Sequence, residues 1–167
     1  MLIVVTSKPG KETRAFNEIM DLFLSYEITA SRSSIFSSSG VFVIDADCDI
    51  YTLAKHLKGY KRIYSLKVMP LQLIVNNTLE DLANGVRNLM KDYKGTFAVR
   101  AVKRGKISAK TIEDYLGTII VKELGLSVNL RNPNHIVIVE GLGSKAGLSI
   151  FNPELYLLFA RKKGLSL

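Results

Sequence analysis

The spacing of apolar residues in the first 70 positions alternates between strand-like and helix-like, and this order constrains the fold more than any other feature. The apolar run from Leu2 to Thr6 predicts a buried strand, which Pro9-Gly10 ends. A helix follows, with apolar residues at helical spacing on one face: Phe16, Ile19, Met20 and Phe23. A strand and a helix in immediate succession predict a sheet covered by helices, which excludes all-helical and all-strand folds.

Four further elements complete this first part of the chain. The pattern predicts an edge strand over 28–36, a strand over 41–45, a helix that Asp49 caps and Gly59 ends, and a half-buried strand over 64–68 that stops at Pro70. The order is β-α-β-β-α-β, which is the split-βαβ or ferredoxin-like pattern. We therefore expect a ferredoxin-like domain at residues 1–70.

The remaining residues follow a different order and predict a second domain at 71–152. They predict a helix that Thr78 caps, a strand over 96–102, a helix between Ser108 and Gly125 with Ile112, Tyr115, Leu116, Ile119 and Ile120 facing the core, a central strand over 136–139, a glycine-rich turn over 141–147 and a strand over 148–151. Residues 153–167 predict a short helix or a loosely docked tail that ends in Arg161-Lys162-Lys163. The expected fold class is α+β (mixed α/β), in two domains without a long linker.

Composition excludes several classes of protein. The chain is 47 % hydrophobic and 23 % charged, as is ordinary for a soluble globular protein. Its apolar runs are far shorter than the roughly 20 residues that span a bilayer, so we expect no membrane role. The first residues lack a basic lead and a small-residue cleavage site, so we expect a cytoplasmic protein. The single cysteine, Cys48, excludes an internal disulfide and a multi-cysteine metal site.

Side chains that could carry catalysis are few. The two histidines, His56 and His135, are isolated in the sequence, and a catalytic histidine needs a positioned partner. Cys48 lies within the alternating aspartates of Asp45–Asp49, whose negative charge works against a reactive thiolate. These aspartates also lack the glycine and the bidentate glutamate of a calcium-binding loop. A strand end followed by a helix cap explains them more simply.

Two further segments resemble known loops only superficially. Gly141–Gly147 fits neither the Walker phosphate loop nor the dinucleotide fingerprint, and predicts a hairpin turn. Asn132-Pro133-Asn134 lacks the second proline and the aromatic residue of the nucleic-acid methyltransferase loop, and predicts a turn. We therefore expect no catalytic residues, no metal ion and no cofactor.

The formal net charge of +8 is unevenly distributed. Residues 1–70 hold nine Lys and Arg against seven acids, and residues 71–167 hold fourteen against eight. Two stretches contain no acid: the first carries Lys55, Lys58, Lys61, Arg62 and Lys67, and the second carries Lys94, Arg100, Lys103, Arg104, Lys106 and Lys110. Such runs are usually solvated faces, and they bind an anionic partner only where the cations converge in space.

Gly95–Lys106 is the most informative stretch of the chain. As a strand, it places Phe97 and Val99 on one face and Arg100 on the other. Cations then gather where the strand ends in a glycine turn, just before the next helix begins. A strand end, a glycine turn and a helix N-terminus together form a reasonable cradle for phosphate. A solubilising basic loop is an equally good interpretation of the spacing alone.

The same stretch resembles a known family. Phe97-Ala98-Val99-Arg100 followed by Arg104-Gly105 resembles the signature strand of the THUMP domain. A second block agrees: Val128-x-Leu130-x-Asn132-Pro133, then Val137-x-Val139-Glu140. The front half is similar to the N-terminal region of the THUMP-containing tRNA-acetylation adaptors, through Thr6-Ser7-Lys8, Glu12, Ala15, Glu18 and Gly40-Val41. Asn129 and Asn134 stand where family members often carry Asp, which makes this surface less negative.

The resemblance implies a ferredoxin-like domain and a THUMP-type α/β domain with a mixed sheet, which together form an RNA-binding platform. In the family this platform binds the acceptor end or stem of tRNA, while a separate catalytic unit modifies a base elsewhere. The resemblance thus implies two partners, tRNA and a separate RNA-modifying enzyme, a cytidine acetyltransferase. The length of 167 residues leaves no room for a catalytic domain, which favours the adaptor class and a role without enzymatic activity.

On this hypothesis, cations of the second domain contact phosphates: Arg100, Lys103, Arg104, Lys106, Lys110, Arg131 and Lys145. Asn132 adds a polar contact to a sugar or base. Four cations of the first domain extend the surface along the duplex: Lys55, Lys58, Lys61 and Arg62. Duplex RNA is recognised largely through its shape and backbone, which suits cations more than aromatic residues.

Two alternatives remain open at this stage. The chain could be a small enzyme with an unrecognised site, which would require a cleft with a histidine or carboxylate of perturbed pKa. It could also be a protein–protein scaffold that uses the apolar stretch Leu155–Phe159, provided that this stretch is exposed. The sequence does not indicate which tRNA or base is involved, or the oligomeric state.

Overall fold

The computed structural model describes residues 1–160, which form two sheets, each in its own unit of the chain. Of the described residues, the first unit comprises Met1–Leu71 and residues 155–160, and the second comprises Gln72–Glu154. Residues 161–167, with the basic end of the predicted tail, lie outside the described residues. Within residues 1–160, no helix is long and apolar enough to cross a membrane.

The first unit has the predicted β-α-β-β-α-β order. Its elements are β1 (Leu2–Ser7), α1 (Glu12–Ser25), β2 (Ala30–Ser38), β3 (Val41–Ala46), α2 (Ile50–Leu57) and β4 (Ser65–Pro70). The sheet order is β2-β3-β1-β4, with antiparallel neighbours throughout, which is a ferredoxin-like arrangement. Asp49 caps α2 as predicted, because its Oδ1 accepts the Thr52 N–H at 2.7 Å.

The buried face of α1 differs from the predicted one. Its buried residues are Ala15, Glu18, Ile19, Leu22 and Phe23. Phe16 and Met20, which the apolar spacing assigned to this face, are only half-buried. The apolar spacing predicted the wrong face of α1 because the buried face includes a charged residue, Glu18, which a search for apolar residues does not count.

Glu18 joins α1 to the segment that precedes β4. Its carboxylate accepts the N–H groups of Ile63, Tyr64 and Ser65, and the Ser65 hydroxyl donates to its Oε2 at 2.6 Å. Burial opposes ionisation of this carboxyl, but these hydrogen bonds outweigh it and lower its pKa. This buried carboxylate is thus satisfied by three backbone N–H donors and one hydroxyl.

Glu12 holds the turn between β2 and β3. Its Oε1 accepts the Gly40 N–H at 2.6 Å, and the Gly40 carbonyl accepts the Ser7 N–H at 2.8 Å. Gly40 has φ +74°, and a Cβ at this position would lie 2.8 Å from the Ser7 carbonyl oxygen. The positions that carry the resemblance in the front half therefore have a structural role at this end of the sheet.

The second unit contains a mixed sheet and two long helices. Its elements are β5 (Leu73–Asn76), α3 (Leu79–Met90), β6 (Thr96–Val102), α4 (Ala109–Leu124), β7 (Ser127–Val128), β8 (His135–Leu142) and β9 (Lys145–Phe151). The sheet order is β5-β9-β8-β6-β7; β6 is parallel to β7 and β8, and the other pairs are antiparallel. The predicted α+β class with a mixed sheet in this unit is confirmed.

The helix ends of the second unit follow the predicted signals. Thr78 and Ser108 cap α3 and α4 by accepting the N–H groups of Asp81 and Thr111, and Gly125 ends α4 at φ +72°. The core between helices and sheet contains Leu82, Ala83, Val86 and Met90 of α3 and Ile112, Leu116 and Ile120 of α4. Tyr115 was predicted to face this core, but it is 37 % exposed.

The structure contains elements that the sequence pattern did not indicate. β5 and β7 are edge strands of four and two residues, too short to show a period. β9 begins at Lys145, so the glycine-rich turn is confined to the residues around Gly143. The segment Pro153–Ala160 forms helix α5, the helical one of the two predicted alternatives. Within the apolar stretch near the end, Phe159 is fully buried, Leu157 is exposed and the other residues are half-buried.

Candidate nucleic-acid interface

Three loops of the second unit meet at the carboxyl ends of β6 and β8, a region that we call the three-loop end. They are the β6–α4 loop (residues 103–108), the β8–β9 turn and the β5–α3 junction at Asn77. The Gly143 N–H donates to the Arg104 carbonyl at 2.6 Å, and the Asn77 N–H donates to the Ser144 carbonyl at 2.8 Å. These backbone hydrogen bonds fix the three loops to one another, so the basic β6–α4 loop has a defined conformation.

Two glycines allow this close approach. A Cβ on Gly105 would lie 2.5 Å from Asn77 Nδ2 and 2.8 Å from the Gly143 carbonyl oxygen. A Cβ on Gly141 would lie 2.7 Å from the Arg104 nitrogen and 2.9 Å from the Val102 oxygen. Contacts this short with backbone atoms cannot be relieved by a side-chain movement. The glycine of the Arg104-Gly105 motif is therefore explained by loop packing.

Arg104 points into the protein. Its Nη1 donates to Glu140 Oε2 at 2.6 Å, and the two side chains are 13 % and 1 % exposed. A buried carboxylate needs such a partner, because an unpaired charge in the interior is strongly unfavourable. We therefore assign Arg104 to positioning the loop, and not to direct phosphate contact as the sequence analysis expected.

The lysines at the three-loop end are exposed to solvent. Lys103, Lys106 and Lys145 are exposed, and Lys145 Nζ donates to Asn76 Oδ1 at 2.8 Å. Lys110, in the first turn of α4, forms an exposed ion pair with Asp114 at 2.8 Å. The hydrogen bond that Lys110 donates to Asp114 raises the pKa of Lys110. Of the predicted residues, this end of the sheet thus brings together Lys103, Lys106 and Lys145 around Arg104.

Arg100 lies apart from this group, beside a cleft. The cleft has a volume of about 520 Å³ and is bounded by β6, α4 and the segment after β7. The Arg100 guanidinium donates to the Leu130 carbonyl at 3.2 Å and to the Val99 carbonyl at 3.3 Å. It is half-buried, and these contacts hold it along the edge of the strand.

Arg131 and Asn132 are exposed but lie in the loop that enters β8 at its amino end, away from the three-loop end. Their N–H groups donate to Asn129 Oδ1 at 3.1 and 2.9 Å, so Asn129 builds a turn. Asn134 Oδ1 accepts the Thr96 N–H at 2.8 Å and ties this loop to the start of β6. The structure therefore gives both asparagines that depart from the family pattern a role in the loop.

The predicted cations of the first unit differ in exposure. Lys55, Lys58 and Lys61 are exposed on α2 and the segment after it. Arg62 is only 3 % exposed, and its guanidinium donates to the carbonyls of Leu158 and Phe159 at the end of α5. A buried guanidinium engaged with helix carbonyls is not available to phosphate, so we leave Arg62 out of the interface.

Other reactive side chains have structural partners. His56 stacks on Tyr26 with ring centroids 3.5 Å apart, and His135 stacks on Tyr93 at 4.7 Å. Burial raises the pKa of the Cys48 thiol, which disfavours the thiolate. Among residues 1–160, no group of three His, Cys, Asp or Glu side chains is placed to hold a metal ion.

Comparison with known sequences identifies one domain of the chain. Residues 76–151 match the THUMP domain family. An uncharacterized protein of Methanocaldococcus jannaschii is 26 % identical over 165 residues, which are 98 % of this chain and 44 % of that protein. A probable tRNA sulfurtransferase of Mycoplasmopsis synoviae is 25 % identical over 89 residues, 52 % of this chain and 24 % of that protein. The chain thus spans less than half of each relative.

Solved structures share the fold of this chain. A Pyrococcus horikoshii protein matches 90 % of this chain and 53 % of its own, with a TM-score of 0.68 at 17 % identity. A 4-thiouridine synthetase, solved in complex with RNA and ATP, matches 90 % of this chain and 41 % of its own, with a TM-score of 0.52 at 19 % identity. At these identities the likeness concerns the fold alone.

Proposed function

From the premise that this chain contains a THUMP domain at residues 76–151, we propose that it is a tRNA-binding module that presents tRNA to a modification enzyme. The observation that carries the proposal is the three-loop end of the second unit. There, Lys103 and Lys106 are exposed on the β6–α4 loop and Lys145 is exposed at the start of β9, and backbone hydrogen bonds fix this loop to the β8–β9 turn. A rigid group of cations suits the phosphate backbone of RNA, which is bound mainly through charge.

The relatives support a role in tRNA modification. One is named a probable tRNA sulfurtransferase, and a 4-thiouridine synthetase with the same fold was solved in complex with RNA. Both are named as enzymes, and this chain corresponds to less than half of each. We infer that the residues described here bind the RNA in such a system, while a separate catalytic unit catalyses the modification.

In its most specific form, the proposal makes that unit a cytidine acetyltransferase. It rests on the similarity of the front half to the tRNA-acetylation adaptors, where Glu12, Glu18 and Gly40 lie at matching positions. Glu12 accepts the N–H of Gly40, and Glu18 accepts the N–H of Ser65, so the structure explains why these residue types occupy these positions. The acceptor end or stem of tRNA is the proposed contact, and the cytoplasm is the proposed location.

The test is the salt dependence of tRNA binding. We compare the parent chain with the variant Lys103→Gln/Lys106→Gln/Lys145→Gln and with the control Lys91→Gln/Lys94→Gln/Lys122→Gln, which removes three exposed lysines elsewhere in the same unit. The slope of log K against log salt is negative, and each lost phosphate contact reduces its magnitude by about 0.7–0.9. The slope of the first variant should therefore be less steep by about 2–3.

The control variant should keep a slope close to that of the parent. A parent chain whose tRNA affinity is indifferent to salt would contradict the proposal. So would equal losses in the two variants, because the effect would then reflect net charge and not the three-loop end.

A further inference from the structure

The cleft between β6 and α4 combines buried apolar walls with an exposed apolar rim. Its volume of about 520 Å³ lies within the range of about 300–1,000 Å³ that is typical of small-molecule sites. Phe97 and Val99 of β6 are buried and line it. Val121, Val128 and Leu130 also line it, and all three are exposed. Apolar side chains that face solvent around one cleft would be stabilised by a ligand that covers them.

A glycine in the middle of α4 contributes to the open space of this cleft. Gly117 lines the cleft, and outside its own stretch of helix a Cβ on it would meet no heavy atom within 4 Å. By contrast, a Cβ on Gly85 of α3 would clash with the side chain of Leu148, so packing explains that glycine. Glycine destabilises a helix interior relative to alanine. Packing does not explain Gly117, whereas a ligand that lies against the helix would.

The backbone at the open edge of β6 is already occupied by side chains. β7 pairs with only the first two residues of β6. Farther along the strand, the Val99 carbonyl accepts a hydrogen bond from Arg100 Nη1 at 3.3 Å, and the Ala101 N–H donates to Glu113 Oε1 at 2.9 Å. A protein segment that binds as an additional strand needs such backbone groups. The structure therefore favours a small ligand that contacts side chains.

The charged side chains of the cleft determine the sign of that ligand. Glu113 and Asp114 line the cleft, but Glu113 accepts a backbone N–H and Asp114 accepts Lys110 Nζ at 2.8 Å. The cations that line it are Arg100 and Lys122, of which Lys122 is exposed. Arg100 donates to two carbonyls, and a guanidinium has more N–H groups than these two bonds use. The cleft can therefore supply donors to an anion.

We propose that this cleft binds a small organic anion. An apolar or aromatic body would lie against Gly117 and the apolar walls, and a carboxylate or phosphate group would contact Arg100 and Lys122. A site with mostly apolar walls and a few polar groups that fix the orientation is typical of small-molecule binding. The inference is independent of the proposed function, which rests on the lysines of the three-loop end.

The first test separates the charge of the ligand from its apolar body. The full chain is titrated with anilinonaphthalene sulfonate, an aromatic anion that fluoresces in apolar surroundings, and with phenylnaphthylamine, its uncharged analogue. The anion should bind the parent more tightly. Arg100→Gln should weaken binding of the anion about tenfold, because a hydrogen bond to a charged group is lost. Lys122→Gln should weaken it about two- to fivefold, as for an exposed ion pair. Neither variant should change the affinity for the uncharged analogue.

The second test fills the cleft. Gly117→Leu should abolish binding of both probes, because the leucine side chain would occupy the space beside α4. The control is Gly59→Leu, which adds the same side chain at a position after α2 where a Cβ also meets no atom within 4 Å. It should bind both probes like the parent. The melting temperature of each variant verifies that it is folded.

Three results would overturn the inference. The first is equal affinity of the parent and of folded Gly117→Leu for the anion. The second is an affinity for the anion that neither Arg100→Gln nor Lys122→Gln changes. The third is displacement of the anion by a tRNA transcript, because the cleft would then belong to the RNA interface. A chain that binds the anion in the cleft but does not bind tRNA would support this inference and contradict the proposed function.

Discussion

Each unit has exposed lysines at one end of its sheet: Lys8 and Lys11 in the first unit, and Lys103, Lys106 and Lys145 in the second. The two units differ in how the acidic side chains near these lysines are satisfied. In the first unit, Glu12 and Glu18 accept hydrogen bonds from backbone N–H groups. In the second unit, Glu140 is buried and paired with the Arg104 guanidinium. The first solution uses backbone N–H donors and a serine hydroxyl, whereas the second commits an arginine to the interior. A basic surface therefore depends on where the acids are satisfied, and not only on how many cations are present.

The difference predicts that the second unit is the more sensitive to a single change. Arg104→Met should lower the free energy of unfolding by about 3–5 kcal/mol, because it leaves the buried Glu140 carboxylate without its cation. Urea denaturation measures the loss. The control is Arg87→Met, which breaks the exposed Arg87–Glu123 pair and should change stability by less than about 1 kcal/mol.

A further variant sharpens this test. Arg104→Met/Glu140→Gln removes both charges and should recover part of the loss, since a buried carboxylate that has lost its guanidinium causes much of it. Equal destabilisation by Arg104→Met and Arg87→Met would show that the Arg104–Glu140 pair does not hold the loop.

Substitution of a closely packed glycine is expected to have the next largest effect on the free energy of unfolding. Gly141→Ala should destabilise the second unit by about 2–3 kcal/mol, because its Cβ would lie 2.7 Å from the Arg104 nitrogen. Gly117→Ala is the matched control: this glycine lies within α4, and its Cβ would meet no atom within 4 Å. It should stabilise the helix by about 0.5–1 kcal/mol. Thermal unfolding measures both variants: the melting temperature should fall for Gly141→Ala and rise for Gly117→Ala.

The first unit should respond to pH through Glu18. Its lowered pKa means that its contribution is present above the pKa of an unfolded glutamate, about 4.3, and is lost as pH falls through the folded value. Glu18→Gln should cost about 1–2 kcal/mol at neutral pH, and its difference from the parent should shrink below about pH 4. The exposed Glu27→Gln is the control and should show little loss at either pH. A loss for Glu18→Gln that is independent of pH would contradict the role of its ionised form.

The sequence predicted the elements whose signals are local. Thr78, Ser108 and Gly125 mark helix ends through their own hydrogen bonds or backbone conformation, and the structure confirms all three. The two-residue β7 has no local signal, because it is held by hydrogen bonds to Gly95 and Phe97, about 30 residues away in the chain. Long-range pairing of this kind is invisible to periodicity.

The same limit applies to the candidate interface. The charge runs pointed to Arg104 and Arg62 as readily as to Lys103, although Arg104 is paired inside and Arg62 is buried. Their partners, Glu140 and the carbonyls at the end of α5, are 36 or more residues distant.

The most direct test of the central claim is lysine footprinting with an amine-reactive acetylating reagent, with and without tRNA, read by mass spectrometry. The lysines at the three-loop end should lose reactivity when tRNA binds: Lys103, Lys106 and Lys145. The exposed Lys91 and Lys94 should react equally in both states. Protection of Lys91 and Lys94 to the same extent as these three, or protection of none, would contradict the account.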